Sequence, residues 1–325
     1  MLEDEAHSMT SEQEFDYFAE RYSVAFVLLD KTSDKLRLGD PNQRVCRYCK
    51  KGAPETSFKK VAHTVPHMTG NKWLTSLDEC DRCNEIFAVH EDHFGKYALP
   101  LRTLSGIRGK NGLPTLKTSL GRVEATETGV NVSHNAGSPI LASDDERKQL
   151  TIRVARHTYV PMGVYKSLVK MALALMPAEE LPKYEYFIPW ILEREYRAES
   201  CPFSPLTMLE QIATSRPREA GIRILLFRRN PGILDCPSCC FVLLFGNIQY
   251  QIILPSPVED AHFVGKEFPP LVWFPVPNTP DQRFGPSIRR VRDLSSSQPV
   301  SDDVQEAMFS YESIMPVPPL SVPGD

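Results

Sequence analysis

The sequence predicts an α+β protein built from two units. Three observations carry this: short strand-sized apolar runs bounded by turn signals, one apolar helical stripe bracketed by prolines, and two C-x2-C cysteine pairs with 30 residues between them. A chain of 325 residues has room for two modest domains. With 42% apolar and 24% charged residues it can bury a real core, which excludes a mostly disordered chain and a small disulfide-stapled scaffold. No apolar run approaches the ~20 residues a membrane helix needs. The opening MLEDEAHSMT is acidic and has no apolar stretch, so no secretory signal is expected. The expected location is cytoplasmic with no membrane contact, where cysteines serve as thiols or metal ligands rather than disulfides.

Residues 1–34 form an acidic lead-in. Ser11 with Glu14 has the spacing of a capping box, Phe15, Phe18 and Tyr22 follow at helical spacing, and residues 24–29 are strand-like. Residues 35–125 hold the paired cysteines and a basic surplus: between 35 and 124 stand 16 Lys and Arg against 9 Asp and Glu, although the whole chain is net −4. Residues 126–150 are polar and read as a linker or hairpin tip. An accessory unit, mixed α/β in content, is expected over 151–294. Residues 151–154 alternate as a strand would. Pro161 opens a helix whose Val164, Leu168, Met171, Ala172 and Leu175 share one face, with Lys166 and Lys170 on a polar side and Pro177 closing it. Strands are expected over 222–227, 240–245 and 248–254, with Phe245-Gly246-Asn247-Ile248 as a tight hairpin. Of 28 prolines, 13 fall in the last 75 residues, so 295–325 reads as a Pro/Ser-rich flexible tail.

Cys46, Cys49, Cys80 and Cys83 have the spacing of a structural zinc site, because each C-x2-C turn aims two thiolates at one ion and two turns complete a tetrahedron. Folding of this small polar segment is then coupled to the metal. A staple alone has no need of His63, His67, Asn71 and Asn84 around the intervening loop. An imidazole titrates near neutrality and can take a proton from water. Each residue also has a plainer reading: His63 packed at a strand end, Asn71 as the left-handed residue of a Gly-Asn turn, Asn84 as a helix cap.

The run C-x2-C, AHTVP, GNK, ECDRCNEIF resembles the HNH endonucleases with the ββα-metal fold, in particular a zinc-stapled branch with the pattern C-x2-C…H-x-x-P…G-N…C-x2-C-N. The resemblance spans about residues 44–97. It implies a metal-dependent endonuclease that hydrolyses phosphodiester bonds, with DNA the preferred substrate. Carried over position by position, it implies His63 as general base, Asn71 as the residue orienting the histidine loop, and Asn84 as a ligand of a catalytic divalent ion, Mg2+ or another. Cys46, Cys49, Cys80 and Cys83 fall on the structural Zn2+ site. Many relatives carry Asp or Glu immediately before the base; this chain has Ala62. His67, Glu91, Asp92 and His93 are the nearest substitutes; Mg2+ would favour the carboxylate of Glu91, and softer ions an imidazole at 67.

Residues 97–123 hold Arg102, Arg108, Lys110, Lys117 and Arg122 and no acid. With Lys59, Lys60 and Lys72 beside the motif, Arg102, Arg108 and Lys110 are candidates for the phosphate backbone of a nucleic acid. By analogy with free-standing fused nucleases, the resemblance implies a bacterial defence effector whose accessory unit senses a signal, binds a regulatory partner or makes a homo-oligomer. The alternative is a catalytically inactive zinc-dependent nucleic-acid-binding or adaptor protein, which Ala62 favours. The second C-x2-C, at Cys236 and Cys239, has only Cys201 and His262 as further donors and reads as buried or loop thiols.

Overall fold

The structure, a computed structural model, describes residues 9–29, 35–135, 137–213, 221–264, 266, 268–275, 287–313 and 315. Helix α1 (Ser11–Arg21) opens with a reciprocal capping box, but one residue earlier than expected: Gln13 N donates to Thr10 Oγ1 at 3.3 Å and Thr10 N to Gln13 Oε1 at 2.8 Å. Glu14 is drawn elsewhere. Its buried carboxylate takes a two-pronged ion pair from Arg289, at 2.5 and 2.8 Å. Strand β1 (Tyr22–Leu29) follows without a break.

Between them β2 (Leu36–Leu38), β3 (Ala62–His63) and β4 (Leu74–Ser76) form a small sheet in the order β2-β4-β3, which leads into the long helix α2 (Asp81–Leu104). Residues expected as a linker are instead structured. β5 (Thr115–Thr118), β6 (Gly121–Ala125) and β7 (Val130–His134) make an antiparallel meander, and β8 (Leu141–Asp144) pairs with β9 (Gln149–Ala155). Buried Leu116, Val123, Ile140, Ile152 and Val154 knit these strands into one apolar cluster. The polar composition of 126–150 hid the alternation of Val130 and Val132 that makes β7.

The accessory part holds α3 (Pro161–Leu175) and α4 (Phe187–Leu192), then β10 (Thr207–Ile212), β11 (Ile222–Arg229), β12 (Cys239–Phe245), β13 (Ile248–Ile253), β14 (Ile288–Asp293) and β15 (Val304–Ser310). Six strands assemble in the order β1-β11-β12-β13-β10-β14, every neighbouring pair antiparallel. The arrangement is therefore α+β, with no parallel crossover among the described strands of this sheet. The sheet borrows β1 from the acidic lead-in. Strands β12 and β13 are buried throughout, and so are all fifteen residues of α3, including Lys166 and Lys170. The expected polar side of α3 does not exist. One continuous apolar core runs from Cys46 and Tyr48 through α2 and α3 to Tyr250. Trp190 belongs to it, while Trp273 is half-buried under the Arg289 guanidinium.

The expected flexible tail over 295–325 is corrected for its first part. β15 pairs antiparallel with β9 from Val304 to Ser310, and buried Gln305 accepts hydrogen bonds from Arg156 at 2.6 Å and Arg290 at 3.2 Å. Residues 316–325 lie outside the described residues. Among the described residues no helix is long and apolar enough to cross a membrane.

The hairpin expected at Phe245-Gly246-Asn247-Ile248 joins β12 to β13, with Gly246 at φ +59°. A Cβ on Gly246 would lie 2.6 Å from Ile107 Cδ1. Asn247 Oδ1 accepts from Ser105 Oγ at 2.5 Å, so this turn seats the segment that leaves α2. Gly246→Ala is expected to cost about 1–3 kcal/mol through strain and overpacking, read as a lower urea midpoint. Combining it with Ile107→Ala should return part of that loss relative to the sum of the single changes.

Candidate active site

The first cysteine knuckle is shaped by its own backbone. Cys46 N donates to Lys51 O at 2.8 Å, Lys50 N to Cys46 O at 2.9 Å, and Lys50 takes the left-handed φ of 58° that closes the turn. The second knuckle opens α2, with Cys80 at the N-cap and Asn84 N donating to Cys80 O at 2.9 Å. The four sulfurs lie within 4.8 Å of one another, three of them on buried residues. Hydrogen bonding from Cys83 and from backbone N–H groups pulls the Cys46 thiol down to about 5, against the cost of burial. Four convergent sulfurs with no disulfide between them suit Zn2+. Asp81 adds a second tie, accepting from Ser57 Oγ at 2.5 Å, Lys59 N at 3.0 Å and Lys60 N at 2.8 Å. This pins the segment entering β3 to the first turn of α2, where the helix dipole favours a carboxylate.

Strand β3 is only two residues long and pairs His63 with Thr75 and Ala62 with Ser76. The connection to β4 runs through Pro66, a single 3-10 turn at His67–Thr69, and Gly70 at φ +96°. Buried Asn71 organises this loop. Its Nδ2 donates to Val65 O at 2.7 Å and Leu74 O at 2.8 Å, and its Oδ1 accepts from Trp73 N at 3.2 Å and Leu74 N at 2.9 Å. With its bonds filled by backbone, Asn71 shapes the loop and is not exposed to a ligand.

His63 is half-buried and its ring makes no hydrogen bond among the described residues. Burial lowers its pKa, and the neighbouring His67, Lys170 and Lys110 side chains lower it further, which favours the neutral ring. The His67 ring stands edge-on to it, centroids 5.6 Å apart, and His67 Nδ1 is buried without a partner. Half-buried Asn84 sits on the first turn of α2, and its side chain likewise makes no hydrogen bond among the described residues.

The other substitutes for the missing carboxylate are engaged. Glu91 Oε1 accepts from Lys170 Nζ at 3.1 Å, Asp92 pairs with Lys96 at 2.8 Å, and His93 Nδ1 accepts from Val160 N at 3.1 Å. His90 Nε2 faces the Ile191 carbonyl at 2.9 Å, so its Nδ1 is the acceptor for the Tyr196 hydroxyl at 2.8 Å. Ala62 is buried. His67 and Asn84 therefore remain as the free donors among the residues the sequence singled out.

The basic candidates divide. Lys59, Lys60, Lys72, Arg108 and Lys110 are exposed. Lys60 pairs with Glu85 at 2.6 Å, and Arg108 pairs with Glu127. Arg102 is corrected: it is buried, donates to Met68 Sδ at 3.9 Å, and lies 2.9 Å from where a Cβ on Gly109 would stand. Burial pulls its pKa down to about 10. It props up the loop instead of presenting charge to solvent. Above it, Gly109 and Gly112 bridge antiparallel, their mutual N–H to carbonyl bonds at 2.9 and 3.3 Å, and hold Lys110 at a turn beside Met68.

The second C-x2-C gathers no group of metal donors among the described residues. Cys236, Cys239 and Cys240 are buried, and the one sulfur group among the described residues able to hold a metal is the first. Sequence reasoning missed Glu79, Arg47 and the inward turn of Lys170. The side chain of Glu79 is wholly enclosed, and burial pushes its carboxyl up to about 7 despite Lys170 Nζ at 3.3 Å. Burial alone would lower the Lys170 pKa, but Glu79 and Glu91 more than offset this and raise it. Two lysines inside an otherwise apolar helix were the available signal.

The purified protein is expected to carry one equivalent of zinc by elemental analysis. Cys80→Ser should lose that metal and the sharp thermal transition seen by circular dichroism, as should chelator treatment of the unaltered protein.

No curated protein and no solved structure matches the chain. Residues 46–98, which carry both knuckles, the His63 hairpin and most of α2, match the family model of the HNH endonucleases.

Proposed function

We propose that the protein is a metal-dependent endonuclease that hydrolyses phosphodiester bonds in DNA, with His63 as general base. The observation that carries this reading is the state of His63. Burial lowers the pKa of its ring, the ring makes no hydrogen bond among the described residues and stands edge-on to His67, and it is at the end of β3, where the following loop is tied down by Asn71. A general base needs an open lone pair within reach of water, and a fixed direction. A water proton passes to the His63 ring as the water oxygen bonds to phosphorus. The bond from phosphorus to the 3′ oxygen then breaks, and that oxygen takes a proton from solvent. Lys110, with Lys59, Lys60 and Lys72 farther along the same segment, contacts flanking phosphates.

Asn84 and His67 would hold a divalent cation, which when bound neutralises charge on the phosphate and the leaving oxygen. An imidazole and an amide in place of a carboxylate suit Mn2+, Ni2+ or Zn2+ better than Mg2+. The second reading, an adaptor that binds nucleic acid without cutting it, is favoured by one observation. Ala62 is buried, and Glu91, the carboxylate nearest in role, is paired with Lys170.

Supercoiled plasmid incubated with Mg2+, Mn2+ or Ni2+ separates the two. Cleavage is expected, and His63→Ala should slow it by about 10²–10⁴-fold while leaving the gel shift intact. Plasmid left whole by both proteins in every metal, with the shift retained, would establish the adaptor. Lys110→Ala should weaken plasmid binding and flatten the dependence of log affinity on log salt by about 0.9. An unchanged slope would remove Lys110 from the interface.

A further inference from the structure

Strand β3 is too short to hold its own orientation. It makes two residue pairs with β4, and among the described residues its other flank pairs with no strand. The His63 carbonyl is held by an ammonium. Lys170 Nζ donates to the His63 carbonyl at 2.7 Å, to Glu91 Oε1 at 3.1 Å, and lies 3.3 Å from Glu79 Oε2. Three oxygens surround the ammonium, two as hydrogen-bond acceptors and the third, of Glu79, as an ion-pair partner. They come from three places: β3, the residue before the second knuckle, and the middle of α2.

The helix that carries Lys170 is locked to the knuckles in return. Arg47, inside the first knuckle, donates through Nη1 to Leu173 O and Met176 O, both at 2.7 Å, and through Nε to Asp78 at 3.0 Å. The Tyr48 hydroxyl reaches Lys170 O at 3.4 Å. Two carbonyls at the C-terminal end of α3, those of Leu173 and Met176, are thus satisfied by the cysteine segment. Position and direction of the lysine are set by the same knuckles that place His63.

We propose that Lys170, 107 residues downstream of His63 and outside the matched segment, is a positioning residue of the nuclease centre that sets the direction of the His63 side chain through its backbone carbonyl. The proposal rests on the reading of His63 as base. A charge-assisted hydrogen bond to a carbonyl fixes the plane of that peptide, and with it the Cα–Cβ direction of the residue. Displacing a catalytic group by about 1 Å can cost 10²-fold in rate.

The test uses the full chain with Lys170→Met and Glu79→Gln together, which removes the ammonium without leaving a fully buried charge behind. Deuterium uptake over residues 62–68 is expected to quicken by about tenfold while uptake over β11 to β13 stays as in the unaltered protein. Single-turnover plasmid cleavage should fall by about 10–100-fold at unchanged plasmid affinity and zinc content. A folded double variant with unaltered uptake over 62–68 overturns the proposal, whatever the plasmid shows. If uptake rises but the unaltered protein leaves plasmid whole in every metal, the nuclease reading fails and the hold of Lys170 on the hairpin stands. Should the double variant not fold, 15N-lysine and 13C-carbonyl labelling of the unaltered protein decides. A slowly exchanging Lys170 ammonium coupled to the His63 carbonyl supports the contact, and no such coupling overturns it.

Discussion

Two pairs of sulfurs far apart in the chain have to meet at one point, and most of the local architecture follows from that meeting. The loop between the knuckles contains only five paired strand residues, in β3 and β4, and a single 3-10 turn. Such a segment has too little apolar surface to offset the entropy of ordering its backbone. Closing it at both ends restricts that entropy before any packing is made. The ties from Asp81 and Asn71 then become local adjustments to a loop already closed. The same closure sets the start of α2, because Cys80 is at once a sulfur donor and the N-cap.

Much of this was legible in the residue order. The cysteine spacing, the α3 stripe and the β12–β13 turn each depend on a few neighbouring residues, and those patterns survive tertiary context. What failed did so for identifiable reasons. Ser11 and Glu14 have the right spacing for a cap, but Thr10 and Gln13 have it too, and Glu14 gains more from the distant Arg289. Arg102 belongs to an acid-free stretch, yet it falls on the face of α2 turned toward Met68, and composition carries no information about faces. β15 was masked by the prolines and serines around it, although Val304 to Phe309 has apolar residues enough for a strand. Lys170 looked like the edge of an amphipathic helix, since nothing local reveals that a second layer will cover that edge.

The charges enclosed beside α3 are a liability as much as a bond. The ammonium faces one enclosed carboxylate, Glu79, and one partly exposed, Glu91, which leaves one negative charge in excess, and the burial-driven rise at Glu79 relieves it. Pairs of this kind seldom add stability relative to apolar side chains of the same shape, while removing one member alone typically costs about 3–5 kcal/mol. Their retention in the middle of the largest core is more readily understood as geometry than as stability. Lys166 nearby follows a different logic. It donates to the backbone carbonyls of Glu193 and Glu195, at 3.0 and 3.3 Å, and lies over the Trp190 and Tyr196 rings, and burial pulls its pKa down to about 8 against the opposing pull of the Glu193 carboxylate.

The six-stranded sheet has one strand that is made long before its neighbour. β1 pairs with β11, and Arg21, the last residue of α1, reaches Asp235, 214 residues later. During synthesis Tyr22 to Leu29 emerge well before β11, with Val24, Val27 and Leu29 exposed even in the finished protein. The strand then waits unpaired until β11 has emerged. Pairings of such sequence separation form slowly and leave sticky edges open meanwhile. Recombinant yield should therefore respond to translation speed and to chaperone supply.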